Sequence, residues 1–254
     1  MSAQGTLLVT GGSRGIGACV ARLASAAGWS VAVNFRSEEA AAQQVAAAIE
    51  AAGGRACALQ GDVAVEADVV RVFREAEEAL GPLAGVVNNA GIDGPHCRVT
   101  DLEADALTRL LAVNVVGLQL CCREAARRMS TRLGGGGGAI VNVSSMASTI
   151  GGRAGAVAYA ASKAAVDVFS KGLAKELASE GIRVNVVRPG MTTTDMTVSL
   201  DENPKLRQRI EATIPMHRIA DADEIARPIV WLLSQEASFV AGAHLDASGG
   251  GFLI

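Results

Sequence analysis

The 254-residue sequence predicts a single α/β domain, a doubly wound seven-stranded parallel sheet with helices on both faces. The main observation is that short β-branched or aliphatic runs alternate with longer alanine-rich stretches of helical periodicity. In addition, 50% of the residues are hydrophobic, enough to bury a large core. No internal repeat or change of composition marks a second domain, so residues 1–254 are predicted to fold as one unit.

The predicted strands and helices follow in chain order. The strands are residues 6–10, 30–35, 56–60, 84–88, 139–144, 183–188 and 244–246. The helices are residues 16–27, 38–51, 66–80, 101–132, 157–179 and 223–233. Five consecutive glycines at 134–138 predict a loop, and the more polar segment around 191–218 is expected to form a mobile substrate lid.

Charge and hydropathy exclude several classes of function. The formal net charge is -3, and no local basic patch offers an attraction to phosphate backbones, so no nucleic-acid partner is expected. The N-terminus carries no leader pattern, and no apolar stretch approaches the roughly 20 residues that span a bilayer. We therefore expect a cytoplasmic protein without a membrane segment.

The cysteines and histidines do not predict a metal site. The five cysteines are odd in number and lack the paired spacing of a disulfide framework or a zinc site, which favours a reducing compartment. The three histidines, His96, His217 and His244, are isolated along the chain. No metal is predicted.

A glycine-rich turn separates the first predicted strand from the first helix. Residues 10–17 read Thr-Gly-Gly-Ser-Arg-Gly-Ile-Gly. Glycines let the backbone approach a ligand closely, and a helix N-terminus offers N–H groups and a positive dipole to an anion. A dinucleotide cradle in a Rossmann-type fold is the prediction, and a turn that only packs a strand on a helix is the alternative. The expected cofactor contacts are Gly11, Ser13, Arg14, Gly15, Ile16 and Gly17.

The residues after the second predicted strand indicate which cofactor binds. An acidic residue there would favour NAD, whereas this chain has Arg36, which together with Arg14 suits the 2′-phosphate of NADP. NADP is therefore predicted over NAD. As the alternative, both arginines are solvated, and Glu38 or Glu39 neutralises Arg36 or reaches the ribose. Asp62 and Val63, after the third strand, are placed at the ligand edge, where Asp62 could bind the adenine amino group.

The only tyrosine of the chain, Tyr159, stands four residues before Lys163 on a predicted helix. This spacing puts both side chains on one face, where the ammonium is expected to lower the pKa of the phenol and make it a proton donor or acceptor. Two serines, Ser144 and Ser145, end the fifth predicted strand shortly before. Taken alone, a Tyr-x-x-x-Lys pattern also fits an ordinary surface pair.

The glycine turn, the Asn-Asn-Ala-Gly sequence at 88–91 and the Tyr159/Lys163 pair occur in an order that resembles the classical short-chain dehydrogenase/reductase family over essentially the whole chain. The resemblance implies hydride transfer between a nicotinamide and a carbonyl or alcohol carbon, with Tyr159 handling the proton. It implies that Ser145, rather than Ser144, orients the substrate oxygen. It also implies that Asn114 and Lys163 hold a water in the proton relay, and that Lys163 binds the nicotinamide ribose.

The same resemblance assigns further cofactor contacts and partners. Asn88, Ala90 and Gly91 are expected beside adenine and ribose, and Pro189, Gly190, Thr192 and Thr194 beside the nicotinamide. Similar motifs occur in 3-oxoacyl-carrier-protein reductases and glucose 1-dehydrogenase-like members, so a small carbonyl or alcohol substrate is expected, free or carrier-linked. Arg127, Arg128, Arg132 and Lys175 could form a basic patch for an acidic carrier.

The alternatives to a 3-oxoacyl reductase are a sugar or other alcohol dehydrogenase and a non-catalytic dinucleotide sensor. By family analogy, helices near 112–129 and 157–178 pair subunits into a homotetramer.

Overall fold

The computed structural model describes residues 4–194 and 203–251. Its strands are β1 Thr6–Thr10, β2 Ser30–Phe35, β3 Ala56–Gln60, β4 Leu83–Asn88, β5 Gly138–Val143, β6 Ile182–Pro189, β7 Thr192–Thr193, β8 Ala220–Asp221 and β9 His244–Ala247. Its α-helices are α1 Gly15–Ala26, α2 Glu39–Ala51, α3 Glu66–Leu80, α4 Ala104–Leu111, α5 Leu118–Met129, α6 Ala147–Ile150, α7 Val157–Leu177, α8 Pro204–Glu211 and α9 Ala222–Leu233.

Seven strands form one parallel sheet in the order β3-β2-β1-β4-β5-β6-β9, which confirms the predicted fold class. The chain winds outward from β1 to β3, then returns to the other side of β1 and continues with β4. The strand order therefore reverses between β1 and β4. In open α/β sheets the crevice beyond the carboxyl ends of the strands at this reversal is where ligands bind.

The sheet separates two apolar cores because successive side chains of a strand point to opposite faces. Leu7 and Val9 of β1 belong to one core, whereas Leu8 between them belongs to the other. The first core also contains residues of α1, α2 and α9, and the second contains residues of α3, α5 and α7. Helices thus cover both faces, and the rigid sheet fixes where its strand ends lie.

The predicted helix over 101–132 is interrupted. A short 3₁₀ turn, Val99–Asp101, precedes α4, and the π-helical segment Ala112–Gly117 joins α4 to α5. Gly117 packs so closely that a Cβ there would lie 2.7 Å from the carbonyl oxygen of Val63. Hydrophobic periodicity does not encode such contacts between residues distant in the chain, and it did not predict the π-helical segment.

The combined run Ala104–Met129 is 26 residues long and is apolar enough to cross a membrane by length and composition. The sequence predicts no membrane span. Leu110, Val113 and Cys122 of this run are buried, and Val113 and Cys122 belong to the second core. A core helix passes the same test, so length and composition alone do not make this run a membrane span.

The segment expected to form a lid contains more regular structure than predicted. α8 begins at Pro204, and the Asn203 side chain caps it by accepting a hydrogen bond from the Leu206 amide at 3.1 Å. β7 and β8 form a separate two-stranded sheet, and Ile214 and Ile219 pack in a small core of their own. Residues 195–202 of the predicted lid lie outside the described residues.

Candidate active site

A cleft of about 600 Å³ runs along the carboxyl ends of the strands. It is lined by sixteen of the predicted cofactor residues, namely Gly11, Ser13, Arg14, Gly15, Ile16, Arg36, Asp62, Val63, Ala90, Gly91, Tyr159, Lys163, Pro189, Gly190, Thr192 and Thr194. Ser145 lines it as well, whereas Asn88, Gly17 and Asn114 do not. The fold therefore brings most of the sequence-predicted site together in one place.

The glycine turn after β1 has the geometry of an anion cradle. Gly11 and Gly15 adopt φ values of 61° and 53°, which side chains with a Cβ rarely tolerate. A Cβ on Gly11 would lie 2.9 Å from the Cα of Ala90. Arg14, in the N-cap position of α1, has no side-chain capping bond, which leaves first-turn N–H groups of α1 for a ligand anion.

Sequence reasoning missed Asn89, which ties the glycine turn to the end of β4. Its side-chain amide donates to the carbonyl oxygens of Thr10 at 3.1 Å and Gly11 at 2.9 Å. The amides of Asn89 and Ala90 both donate to the Thr10 hydroxyl at 3.1 Å. A Cβ on Gly17 would lie 2.3 Å from the carbonyl oxygen of Gly11, so the absence of a side chain at Gly17 lets α1 pack against the turn. In the sequence, the doublet of Asn88 and Asn89 was the signal from which this contact could have been predicted.

Asn88 lies below the cleft, and its side chain does not form part of the wall that the family resemblance implied. The side chain is buried, and its amide donates to Asn142 Oδ1 at 2.9 Å. Asn142 in turn donates to the Ser170 hydroxyl at 2.8 Å. The side chain of Asn88 points into the core because residues 88 and 89 point to opposite sides of the chain.

One end of the cleft lies beyond β2 and β3. Arg36, Ser37 and Glu38 line it after β2, and Asp62 lines it after β3. The Arg36 side chain is exposed, and within residues 4–194 and 203–251 no ion pair joins it to Glu38 or Glu39. The arginine is thus accessible to an anionic ligand at this end.

At the other end of the cleft, Tyr159 and Lys163 lie on the same face of α7, beside the end of β5. Ser145 lies beside Tyr159 and acts to lower the pKa of its phenol, and the Ser145 hydroxyl oxygen accepts from the Ala147 amide at 3.1 Å. Ser144 is buried and donates to the carbonyl oxygen of Lys163 at 3.1 Å. Ser145 is therefore the serine next to the phenol, and Ser144 joins β5 to α7.

Burial, rather than the neighbouring ammonium, dominates the proton affinity of Tyr159. It raises the pKa of Tyr159 to about 12, the nearby Ser145 hydroxyl opposes this shift, and the charge of Asp93 adds to it. The expectation that Lys163 lowers the pKa of the phenol was therefore wrong. The ammonium of Lys163 donates to the Val143 carbonyl at 2.9 Å and lies 5.8 Å from the centroid of the Tyr159 ring. Tyr159 is a neutral phenol at neutral pH.

Lys163 is itself strongly affected by its surroundings. Desolvation of the fully buried side chain lowers the pKa of Lys163 to about 8, and the negative charge of Asp167 opposes that shift. A Cβ placed on Gly91 would lie 3.5 Å from Lys163 Nζ and 3.4 Å from Asn114 Oδ1. A side chain at Gly91 would therefore contact both polar groups.

Asn114 lies in the π-helical segment and fixes the loop after β4. Its side chain accepts from the Ile92 amide and donates to the Ile92 carbonyl, both at 2.9 Å. It also donates to the Ser162 hydroxyl at 3.1 Å, next to Lys163. Its bonds therefore reach beyond its own helix, and they connect the loop after β4 to α7.

The turn after β6 closes the cleft above the glycine turn. The Thr192 hydroxyl donates to the Gly190 carbonyl at 3.1 Å, and the Met146 amide donates to the Pro189 carbonyl at 3.0 Å. A Cβ on Gly15 would lie 3.4 Å from the methyl carbon of Thr194. Thr194 thus faces the start of α1 across the cleft.

The arginines suggested for carrier docking form ion pairs with glutamates of the same chain. Arg127 pairs with Glu124 at 2.9 Å, Arg128 with Glu77 at 3.1 Å, and Arg132 with Glu180 at 3.6 Å. Only Lys175 of the suggested patch, which is exposed, has no such pair among the described residues. The interleaved acids leave this surface little net positive charge.

The part of the chain that the structure describes holds no group of three or more His, Cys, Asp or Glu side chains that could bind a metal ion. Ser145, Tyr159 and Lys163 instead line the same cleft as the glycine turn. A family model described as enoyl-(acyl carrier protein) reductase matches residues 11–251, which include this whole set. The chain belongs to the short-chain dehydrogenase/reductase family. It is accordingly an oxidoreductase of that family.

Individual relatives agree with this assignment. The chain is 49% identical to the uncharacterized oxidoreductase YgfF of Escherichia coli K12, over 96% of this chain and 98% of the relative. It is 39% identical to the 3-oxoacyl-[acyl-carrier-protein] reductase of Rattus norvegicus, over 95% of each. A short-chain dehydrogenase from Burkholderia cenocepacia J2315, solved in complex with NADP, superposes with a TM-score of 0.90 at 35% identity and covers 99% of each chain.

Proposed function

We propose that this oxidoreductase is an NADP(H)-dependent carbonyl reductase of the 3-oxoacyl reductase type. The observation that carries the proposal is that Ser145 and the neutral Tyr159 lie side by side at one end of a cleft that has a glycine cradle and Arg36 elsewhere along it. A ketone oxygen placed against these two hydroxyl groups would receive a hydrogen bond from Ser145 and a proton from Tyr159.

The cleft suits a dinucleotide. The left-handed Gly11 and Gly15, and the uncapped start of α1, leave room and N–H groups for a pyrophosphate. Arg36 and Arg14 border the cleft and favour a 2′-phosphate, and the similar Burkholderia structure was solved in complex with NADP. Pro189, Gly190, Thr192 and Thr194 would bind the nicotinamide half, and Lys163 its ribose.

When bound, the nicotinamide supplies the hydride, and the protein supplies binding, orientation and the proton. Tyr159 is the proton donor in the direction of reduction because burial keeps its phenol protonated. Ser145 holds the substrate oxygen beside Tyr159 Oη. Lys163 and Asn114 face a common space next to Gly91, a suitable place for a water that returns the proton to Tyr159.

The substrate side of the cleft combines apolar Ile92, Met146 and Met191 with polar His96 and Arg153. Such a wall accepts an acyl chain next to a ketone. The rat relative supports a 3-oxoacyl substrate. The paired arginines on α5 make tight carrier docking less favourable, so we propose free thioesters as the first substrates to test. A sugar or other alcohol dehydrogenase is the alternative outcome.

We propose that the enzyme forms a homotetramer and that it is located in the cytoplasm. The outward-facing Val116 and Val168, on the π-helical segment and α7, are 48% and 76% exposed, as expected for apolar residues at a subunit contact. The five cysteines are all free, which suits a reducing compartment. Light scattering of the purified protein tests the assembly, and a stable monomer would contradict it.

The decisive experiment is a label-transfer assay. The enzyme is incubated with NADPH that carries deuterium at both C4 positions and a panel of 3-oxoacyl thioesters, simple ketones and sugars, and the products are analysed by mass spectrometry. The expected result is an alcohol that carries one deuterium on the carbinol carbon. Binding of NADPH with no label transfer to any carbonyl would contradict the proposal and favour a dinucleotide sensor.

A further inference from the structure

A salt bridge at the cleft joins two residues that are 47 positions apart. The guanidinium of Arg109, on α4, donates to Asp62 Oδ2 at 2.7 Å, and both residues line the cleft. Asp62 follows β3, which pairs with β2 in a register that puts Gln60 opposite Phe35. Asp62 and Arg36 therefore leave adjacent strands at the same end of the cleft.

Three bonds hold Asp62 in one orientation. Its backbone amide donates to Asp68 Oδ2 at 2.9 Å, and its Oδ1 accepts from the Ala64 amide at 3.0 Å. Arg109 holds the other carboxylate oxygen. A carboxylate has about four lone-pair sites, so acceptor capacity is left at Asp62 after these contacts. The Asp62 side chain is 21% exposed, within reach of a ligand in the cleft.

We infer that Arg109 is a positioning residue for base recognition: it fixes the carboxylate of Asp62 in the orientation that accepts the exocyclic amino group of a purine. This inference rests on the proposed function, because it concerns the adenine of the same dinucleotide. The guanidinium also offsets the negative charge of Asp62 next to a cofactor that carries several phosphates. Without Arg109 the carboxylate would lose its partner on Oδ2 and repel those phosphates.

The salt bridge contributes little to folding, since Arg109 is 38% exposed and exposed ion pairs stabilise proteins weakly. Replacement of Arg109 should therefore leave the fold intact while altering the site. Arg74 gives a matched control. It is 60% exposed, pairs with Glu78 at 3.4 Å on α3, and does not line the cleft.

The experiment measures dissociation constants by titration calorimetry for NADPH and for its hypoxanthine counterpart, which has an oxygen in place of the adenine amino group. Wild type should prefer NADPH by about tenfold or more, the typical effect of a lost hydrogen bond to a charged group. Arg109→Met should reduce this preference by about three- to tenfold, Arg109→Lys should restore part of it, and Arg74→Met should leave it unchanged.

An unchanged preference in Arg109→Met, or no preference in wild type, would overturn the inference while leaving the proposed function standing. If wild type bound neither dinucleotide, the proposed function would fail together with it. Thermal unfolding of each variant verifies that the fold is retained. A merely structural role of Arg109 would weaken both dinucleotides equally and leave their ratio unchanged.

Discussion

Lys163 donates a hydrogen bond from its buried ammonium to the carbonyl oxygen of Val143, 2.9 Å away on the last residue of β5. Two residues later Ser145 lies beside Tyr159, one helical turn before Lys163 on α7. The end of a single strand thus meets both members of the α7 pair. The bond to Val143 holds the ammonium in place, 5.8 Å from the centroid of the Tyr159 ring.

Replacement of Tyr159 by phenylalanine should remove turnover while leaving cofactor affinity nearly unchanged. The phenol is the proposed proton donor, and a positioned proton donor typically contributes about 10²- to 10⁴-fold in rate. Steady-state kcat and the dissociation constant for NADPH are the measurements. A kcat close to wild type in Tyr159→Phe would refute the proton role.

The two serines after β5 should have different effects when each is changed to alanine. Ser145→Ala should lower kcat by about 10²- to 10³-fold, the usual cost of losing a donor to a reacting oxygen. Ser144→Ala should lower the free energy of unfolding by about 1 kcal/mol, because a buried hydrogen bond to α7 is lost. Equal losses of kcat in the two variants would show that the distinction is wrong.

Arg36→Ala should shift the cofactor preference. The loss of charge-assisted hydrogen bonds to a 2′-phosphate is expected to reduce the ratio of kcat/KM for NADPH to that for NADH by about 10- to 100-fold. Arg98→Ala is the matched control, since Arg98 is also exposed but does not line the cleft. If the ratio stayed at its wild-type value in Arg36→Ala, the NADP assignment would have to be abandoned.

Buried Lys163 should make stability depend on pH in a particular direction. Its folded pKa, lowered to about 8 by burial, is below the ordinary value of 10.5, so the unfolded chain binds more protons between these pH values. The cost of burying the charge is present below pH 8 and is relieved as the pH rises from 8 towards 10.5. Over that window wild type should therefore gain stability, by about 3 kcal/mol at most, relative to Lys163→Met.

Urea unfolding of both proteins at several pH values measures this difference. The comparison with Lys163→Met cancels the other groups that titrate in the same range, including the tyrosine, whose raised pKa of about 12 makes folding less favourable as the pH increases from 10 to 12. A stability difference that is constant between pH 8 and 10.5 would indicate that Lys163 is not desolvated as the structure shows.

The sequence by itself predicted the strands of the main sheet to within one residue at nearly every boundary. Periodicity and β-branched runs are local signals, and buried parallel strands express them strongly. It missed β7 and β8, which are two residues long and exist only because residues 192–193 and 220–221 meet across the lid segment. It also missed the π-helical break at Ala112–Gly117, which depends on contacts with residues that are distant in the chain.

For the site, the order of motifs along the chain was enough to predict the glycine cradle, the shared face of Tyr159 and Lys163, and the class of chemistry. Only the tertiary structure decided that Asn89 rather than Asn88 binds the glycine turn, and that Arg109 pairs with Asp62. It also decided the direction in which the pKa of Tyr159 shifts. Spacing determines which side chains share a face of one element, whereas burial and long-range pairing depend on how the elements pack.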